Sequence, residues 1–166
     1  MPETNELAKL IQLIRGFDTA MLVTHAPDGR LRARPMQVAR VEDSAELWFL
    51  TGNDSPKVQE IQSDSHVQVV FQEERDHYVA LAGLANLSHD RGKLDQLWKE
   101  GFKAWFPNGK DDPNICLIQV QPTEGEYWDN AGTQKIKYAI DSVRAYVTGD
   151  TPHIEEGAQH GRLSLS

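Results

Sequence analysis

The chain has a single cysteine, Cys116, among 166 residues. One thiol can close no intrachain disulfide and supports no cysteine-rich metal site, and within "NICLIQV" it reads as buried and inert. No apolar run approaches the length a membrane span requires, and "MPETNELAKL" has no basic flank leading into an apolar stretch, so a soluble, cytoplasmic protein is expected. Positive charge is also short: 17 Lys and Arg stand against 25 Asp and Glu, a formal net charge of −8. Such a chain is repelled by nucleic acid and by anionic membranes, so any anion it binds must be held by local geometry. His25, His66, His77, His89, His153 and His160 lack the paired spacing of a zinc helix. Asp111 and Asp112 before Pro113 read as a solvated turn, and no metal site is expected. A nucleophile elbow, a Walker loop and a dinucleotide fingerprint are all missing, which removes hydrolase and nucleotidase readings.

What is present is mostly strand. Leu7, Leu10, Ile11 and Ile14 fall at helical spacing in "NELAKLIQLI", with Thr4 or Asn5 available as a cap. "TAMLVTH" then reads as a strand, "APDGR" as a turn, and "LRARPMQVARV" as the return arm of a hairpin. Pro35 cannot donate a ladder hydrogen bond, which puts that arm at an edge or a bulge. "ELWFLT", "HVQVVFQ" and "HYVALAGLANLS" follow, the last with Gly83 as a bend point. "HDRGKLDQLWKEGF" places Leu94, Leu97 and Trp98 on one helical face, and "NICLIQVQP" and "GEYWDN" read as closing strands. Strands joined by short turns favour an antiparallel barrel or sandwich decorated by helices. The apolar signal weakens beyond Ala131, so residues 1–140 are expected to form the domain and 141–166 a weakly structured tail.

Within "TGNDSPKVQEI", Ser55 is suited to an N-cap and Pro56 to the first helical position. Lys57 follows where helix N–H groups and the positive end of the macrodipole point outward. With the hydroxyls of Thr51 and Ser55 it forms the donor set of a phosphate cradle. Taken alone, the same residues also describe the start of an ordinary surface helix.

Read together, Arg32 to Met36, "WFLTGNDSPKVQEI", "WFPNGKDDPN" (Trp105 to Asn114) and "EYWDN" (Glu126 to Asn130) resemble the FMN-binding split-barrel family typified by pyridoxamine 5'-phosphate oxidase. The likeness is closest to its bacterial general stress protein branch and covers about the first 130 residues. The resemblance implies a mainly β fold: a six-stranded antiparallel split β-barrel of Greek-key type with peripheral helices, dimerising and binding FMN at the subunit interface. It also implies that Arg34, Pro35, Met36 and Gln37 lie along the isoalloxazine and that Thr51, Ser55 and Lys57 hold the phosphate. Trp105 and Trp128 would supply aromatic surface, although core or interface packing explains each equally well.

Departures from the oxidase pattern narrow the activity. The vitamin B6 oxidases carry a lysine after the arginine strand and an arginine beside the phosphate-turn lysine, where this chain has Gln37 and Pro56. Their basic C-terminal motif is not recognisable in "HGRLSLS". The resemblance therefore implies an FMN-dependent oxidoreductase with an unknown small-molecule redox partner, acting on something other than pyridoxamine 5'-phosphate. FAD is a larger alternative cofactor. Two other readings are a flavin-binding stress protein without turnover and a split-barrel binder of haem or a deazaflavin. No residue demands a general acid or base role. Four tryptophans, Trp48, Trp98, Trp105 and Trp128, exceed what one cofactor pocket requires, which favours a homodimer.

Overall fold

The computed structural model describes residues 2–73, 77–129 and 160–164. Helix α1 spans Pro2–Ile14 and so takes in Thr4 and Asn5. Strands β1 (Thr19–His25) and β2 (Leu31–Gln37) form the expected hairpin. Its turn is closed by Ala26 N donating to Arg30 O at 2.8 Å, with Gly29 at φ 82°, a conformation glycine adopts without a Cβ penalty. The short β3 (Arg40–Val41) and β4 (Leu47–Gly52) lead into helix α2 (Pro56–Ser63). Strands β5 (His66–Glu73) and β6 (His77–Ser88), helix α3 (Arg91–Leu97), a 3-10 turn (Glu100–Ala104), β7 (Ile115–Asp129) and β8 (His160–Ser164) complete the described chain.

The strands form one curled antiparallel sheet in the order β2-β1-β5-β6-β7-β4-β3, with β8 pairing β7 off that path. The mainly β split-barrel class is thus present, but seven strands lie along the path where the resemblance implied six. The difference arises where "LRARPMQVARV" changes partner. Residues 31–37 pair with β1, Val38 N donates to Asp18 O at 2.9 Å, Ala39 N donates to Trp48 O at 2.8 Å, and Arg40 and Val41 then pair with β4. One run of sequence becomes two strands that tie opposite ends of the sheet together. The pairing of β1 with β2 is continuous from Thr19–Gln37 to His25–Leu31, so Pro35 sits on a terminal strand and not at a bulge.

The two closing runs are one strand, β7, which continues through Pro122 because Thr123 bulges out opposite the Ala82–Gly83 step. Its first half pairs β4 and its second half pairs β8. Residues 160–164 of the expected tail are therefore strand, and the boundary expected at residue 140 lies outside the described residues.

Alternation along β1, β4, β5, β6 and β7 sends Leu22, Phe49, Val69, Phe71, Leu81 and Ile118 into the barrel interior, where Leu10, Ile11 and Ile14 of α1 close one end. Each such burial stabilises by roughly 1.5–3 kcal/mol. A second cluster lies on the other face of β4 and β7, where Leu94, Leu97 and Phe102 cover Trp48, Leu50, Ile115 and Leu117. Cys116 is fully buried between these layers. No helix among the described residues is long and apolar enough to cross a membrane.

Candidate functional site

The partner change at Val38–Ala39 leaves β2 and β4 splayed, and a cleft of about 400 Å³ opens between them. Arg34, Pro35, Met36 and Gln37 form one wall. Leu50, Thr51 and Gly52 of β4 form the other, Ser55 and Lys57 close one end, and Phe102 of the 3-10 turn lines the cleft with Trp105 and Phe106 just after it. Eight residues expected from sequence, Arg34, Pro35, Met36, Gln37, Thr51, Ser55, Lys57 and Trp105, thus meet at one place. Trp128 does not join them: it lies on β7 opposite Tyr78 and His160 and is not part of the cleft lining.

The cationic end is built by local sequence. Ser55 occupies the N-cap position of α2 in extended conformation, but its hydroxyl caps no backbone group. It accepts instead from Lys57 Nζ at 2.6 Å, and the hydroxyl of buried Thr51 accepts from the same ammonium at 3.0 Å. The expected cap is thereby diverted into the cradle. Burial, and next the nearby Arg34 guanidinium, pull the Lys57 ammonium below the ordinary lysine range, while Glu60 and Asp54 oppose that shift. Two cations held close together in partial burial make a site that an incoming anion relieves.

Glu60 escapes a reading from sequence. It projects from α2 beside Val58 and Ile61 and is only 3% exposed. Thr24 Oγ1 donates to Glu60 Oε2 at 2.6 Å, Arg34 Nη2 lies 3.3 Å from both carboxylate oxygens, and Arg34 Nη1 donates to Thr24 Oγ1 at 2.7 Å and to Leu22 O at 3.3 Å. The arginine expected along a ring is thus turned toward a buried carboxylate. Beyond this pair, Arg32, Ala33 and Pro56 line a second hollow of about 420 Å³ that shares Arg34, Ser55 and Lys57 with the cleft.

The rim is braced by the segment "WFPNGKDDPN". Asn53 N donates to Asn114 O at 2.8 Å, Asn114 Nδ2 donates to Asp54 Oδ1 at 3.1 Å, and Asn53 Nδ2 donates to Pro113 O at 3.2 Å. Asp112 is a turn residue, as read, yet it is half-buried, lines the cleft and accepts from Asn114 N at 2.9 Å. Gly52 keeps this corner open, since a Cβ there would lie 2.7 Å from Asp54 Oδ1 and 2.8 Å from Asn114 Nδ2. Among the described residues no group of three or more His, Cys, Asp or Glu is placed to hold a metal ion.

The cleft offers hydroxyls and an ammonium at one end, with aromatic and apolar surface from Met36, Leu50, Phe102, Trp105 and Phe106 at the other. That donor set suits a ligand with an anionic terminus and a flat apolar body.

Comparison with known proteins places the chain in a family. General stress protein 26 of Bacillus subtilis is 27% identical over 86 residues, covering 49% of this chain, which spans 61% of that relative's length. The crystal structure of general stress protein 26 from Bacillus anthracis str. Sterne superposes with a TM-score of 0.65 at 26% identity, covering 76% of this chain and 94% of that one. A general stress FMN/FAD binding protein from Xanthomonas citri gives a TM-score of 0.66 at 27% identity, covering 80% and 93%. The family model described as "Pyridoxamine 5'-phosphate oxidase like" matches residues 5–153, most of the sequence, and the chain belongs to that family.

Proposed function

We propose that the protein binds FMN in the cleft between β2 and β4, its phosphate at Thr51, Ser55 and Lys57 and its isoalloxazine along Pro35, Met36 and Gln37 beneath Trp105. The observation that carries this reading is the Lys57 ammonium, gathered with two hydroxyls at the start of α2 and depressed in pKa by burial and Arg34. A phosphomonoester brings roughly −1.5 to −2 charges at neutral pH, which offsets that cationic crowding. The volume of the cleft lies within the range of small-molecule sites. The FMN/FAD binding protein of Xanthomonas citri supports a flavin in this fold.

A bound flavin supplies hydride or electron transfer, and the protein's contribution is position and electrostatics. Met36, Leu50, Phe102 and Phe106 exclude water from the body of the cleft. The Gln37 side chain and β2 backbone N–H groups serve the polar edge of the ring, where they stabilise negative charge. The cleft carboxylates, Asp54 and Asp112, are engaged by Asn114 at the rim. The activity is that of an FMN-dependent oxidoreductase other than pyridoxamine 5'-phosphate oxidase, because Gln37 and Pro56 replace the cations of the oxidase pattern.

A homodimer completes this reading. Pro35, Met21, Val70 and Ala80 are register neighbours across β2, β1, β5 and β6, all apolar and none buried, and Pro35 also lines the cleft. A second copy on that face would cover the open side of the ring, where Trp105 is 73% exposed. A buried thiol with no disulfide fits a reducing, cytoplasmic setting.

The test is Lys57→Ala. It should weaken FMN by a charge-assisted contact, about 1.5–3 kcal/mol, and leave riboflavin nearly unaffected. Equal losses for the two flavins would remove the phosphate role. Sedimentation across a dilution series with flavin fluorescence read in parallel checks the dimer, and a monomer with full FMN affinity would refute it.

A further inference from the structure

Arg34 and Lys57 stand at the same end of the cleft, yet their surroundings differ. Among the described residues the Lys57 ammonium donates to two hydroxyls, Thr51 and Ser55, which an incoming anion can share. Arg34 is committed to the protein: its Nη1 is taken by Thr24 and Leu22 O, and its Nη2 by the carboxylate of Glu60. Glu60 is itself 97% out of solvent and fixed by Thr24 Oγ1 at 2.6 Å, so it cannot swing away to release the guanidinium. We propose that Glu60 is a built-in counter-anion that occupies Arg34, leaving Lys57 as the cation that meets the phosphate and making the site selective for a phosphomonoester over more highly charged anions. The proposal rests on the phosphate cradle assigned above and identifies a specificity-determining residue within it.

The physical reason is charge matching. With Glu60 present, Arg34, Lys57 and Glu60 sum to one positive charge at this end, which Asp54 on the rim trims further. A monoester is accommodated there, and additional negative charge on a ligand would reach, beyond Arg34 and Lys57, only Arg32 among the residues lining the adjoining hollow, an exposed side chain whose charge solvent screens. Space does not impose the choice, because the hollow lined by Arg32, Ala33 and Pro56 opens directly beyond Lys57. Removing the negative charge of Glu60 while keeping its shape would free the guanidinium for the ligand and raise the local sum to two.

The experiment compares wild type with Glu60→Gln for FMN and riboflavin binding, and measures thermal protection by inorganic phosphate and by pyrophosphate. Glu60→Gln should tighten FMN by about five- to tenfold relative to riboflavin, as one more charge-assisted contact reaches the phosphate. A Glu60 that served packing alone would change both flavins equally, and that result, or a fall in the FMN to riboflavin ratio, overturns the proposal. In wild type, pyrophosphate should protect no better than phosphate, whereas a tenfold preference for pyrophosphate overturns the proposal even where Glu60→Gln does not fold. If wild type binds neither flavin, the flavin reading fails separately. Greater phosphate protection of Glu60→Gln than of wild type then still supports the counter-anion, and equal protection, or none in either protein, sinks it.

Discussion

Replacing Gly83 by alanine tests the register that holds β6 against β7. An ideal Cβ at Gly83 would collide with the carbonyl oxygen of Gln121, and it would lie 3.0 Å from both Gln121 C and Pro122 Cα. These three atoms are all backbone. The strand that carries them is pinned by β4 through Val120 on one side of the contact and by β8 through Glu124 on the other. No side chain can rotate away, so the strand must move. Overpacking of this kind costs about 2–3 kcal/mol, the upper part of the usual range, less about 0.4–1 kcal/mol recovered from the stiffer unfolded chain. The net loss of about 2 kcal/mol should lower Tm by roughly 4–8 °C for a chain of this length. Two other glycines set the scale. At Gly125 the nearest atoms are the flexible ends of Leu81, at 3.0 Å, and Leu10, at 3.3 Å, so alanine there should cost less than about 1 kcal/mol. At Gly101 nothing lies within 4 Å, and alanine should be neutral or stabilising by about 0.4–1 kcal/mol. Urea unfolding reads the order directly as midpoint shifts at unchanged slope. A Gly83→Ala protein as stable as wild type, or a larger loss at Gly125, would refute the reasoning.

Lys57 should give FMN binding an alkaline limit. Because its free-state pKa is lowered, affinity should fall as pH rises through a value below 10.5, and Lys57→Ala should abolish that limb; stability without ligand should run the opposite way, rising in the same window as the penalised ammonium loses its proton. Arg34→Ala strands Glu60 without its cation and should cost about 3 kcal/mol, the low end for breaking a buried pair because Arg34 keeps a fifth of its side chain in water; chemical denaturation measures it. Cys116, fully buried and with its thiol pKa pushed up by burial, should react with a disulfide reagent only as fast as the chain unfolds, and prompt labelling of the native protein would contradict its place between the two apolar layers. Trp105→Phe should reduce the tryptophan fluorescence quenching that FMN causes, since Trp105 lines the cleft, and a variant quenched to the same extent as wild type would contradict that place.

What the sequence disclosed was what lies close together along it. Thr51, Ser55 and Lys57 fall within a single turn, so their residue types already describe a cradle, and "APDGR" and Pro35 announce a hairpin whose second arm lies at an edge or a bulge. Glu60 was illegible because its burial depends on how α2 lies against β1 and β2. In "KVQEIQS" it looks like any solvated helix position, and its partners Thr24 and Arg34 are 36 and 26 residues away. Helical spacing gave no signal for it either, since at about 100° per residue Glu60 points well away from the face shared by Val58 and Ile61. Strand β7 read as two pieces because Pro122 normally stops a ladder, and only the bulge at Thr123, which needs Gly83 opposite, lets it continue. Strand β8 carries little alternation in "HGRLS", so nothing in its composition set it apart from a tail.

The change of partner at Val38–Ala39 also bears on the order in which the molecule is assembled. The β1–β2 hairpin closes over the few residues between His25 and Leu31, while β4, paired locally with β3, joins the rest of the sheet only when Leu47 meets Val120 and Gly52 meets Ile115. Loop-closure entropy makes the second event the slow one. The cleft takes one wall from each, and Asn114 joins its rim only as β7 docks. We expect its completion to be among the last steps of folding, so that in a refolding experiment the recovery of ligand binding should trail the recovery of hairpin structure and mark the moment at which the distant strands have found each other.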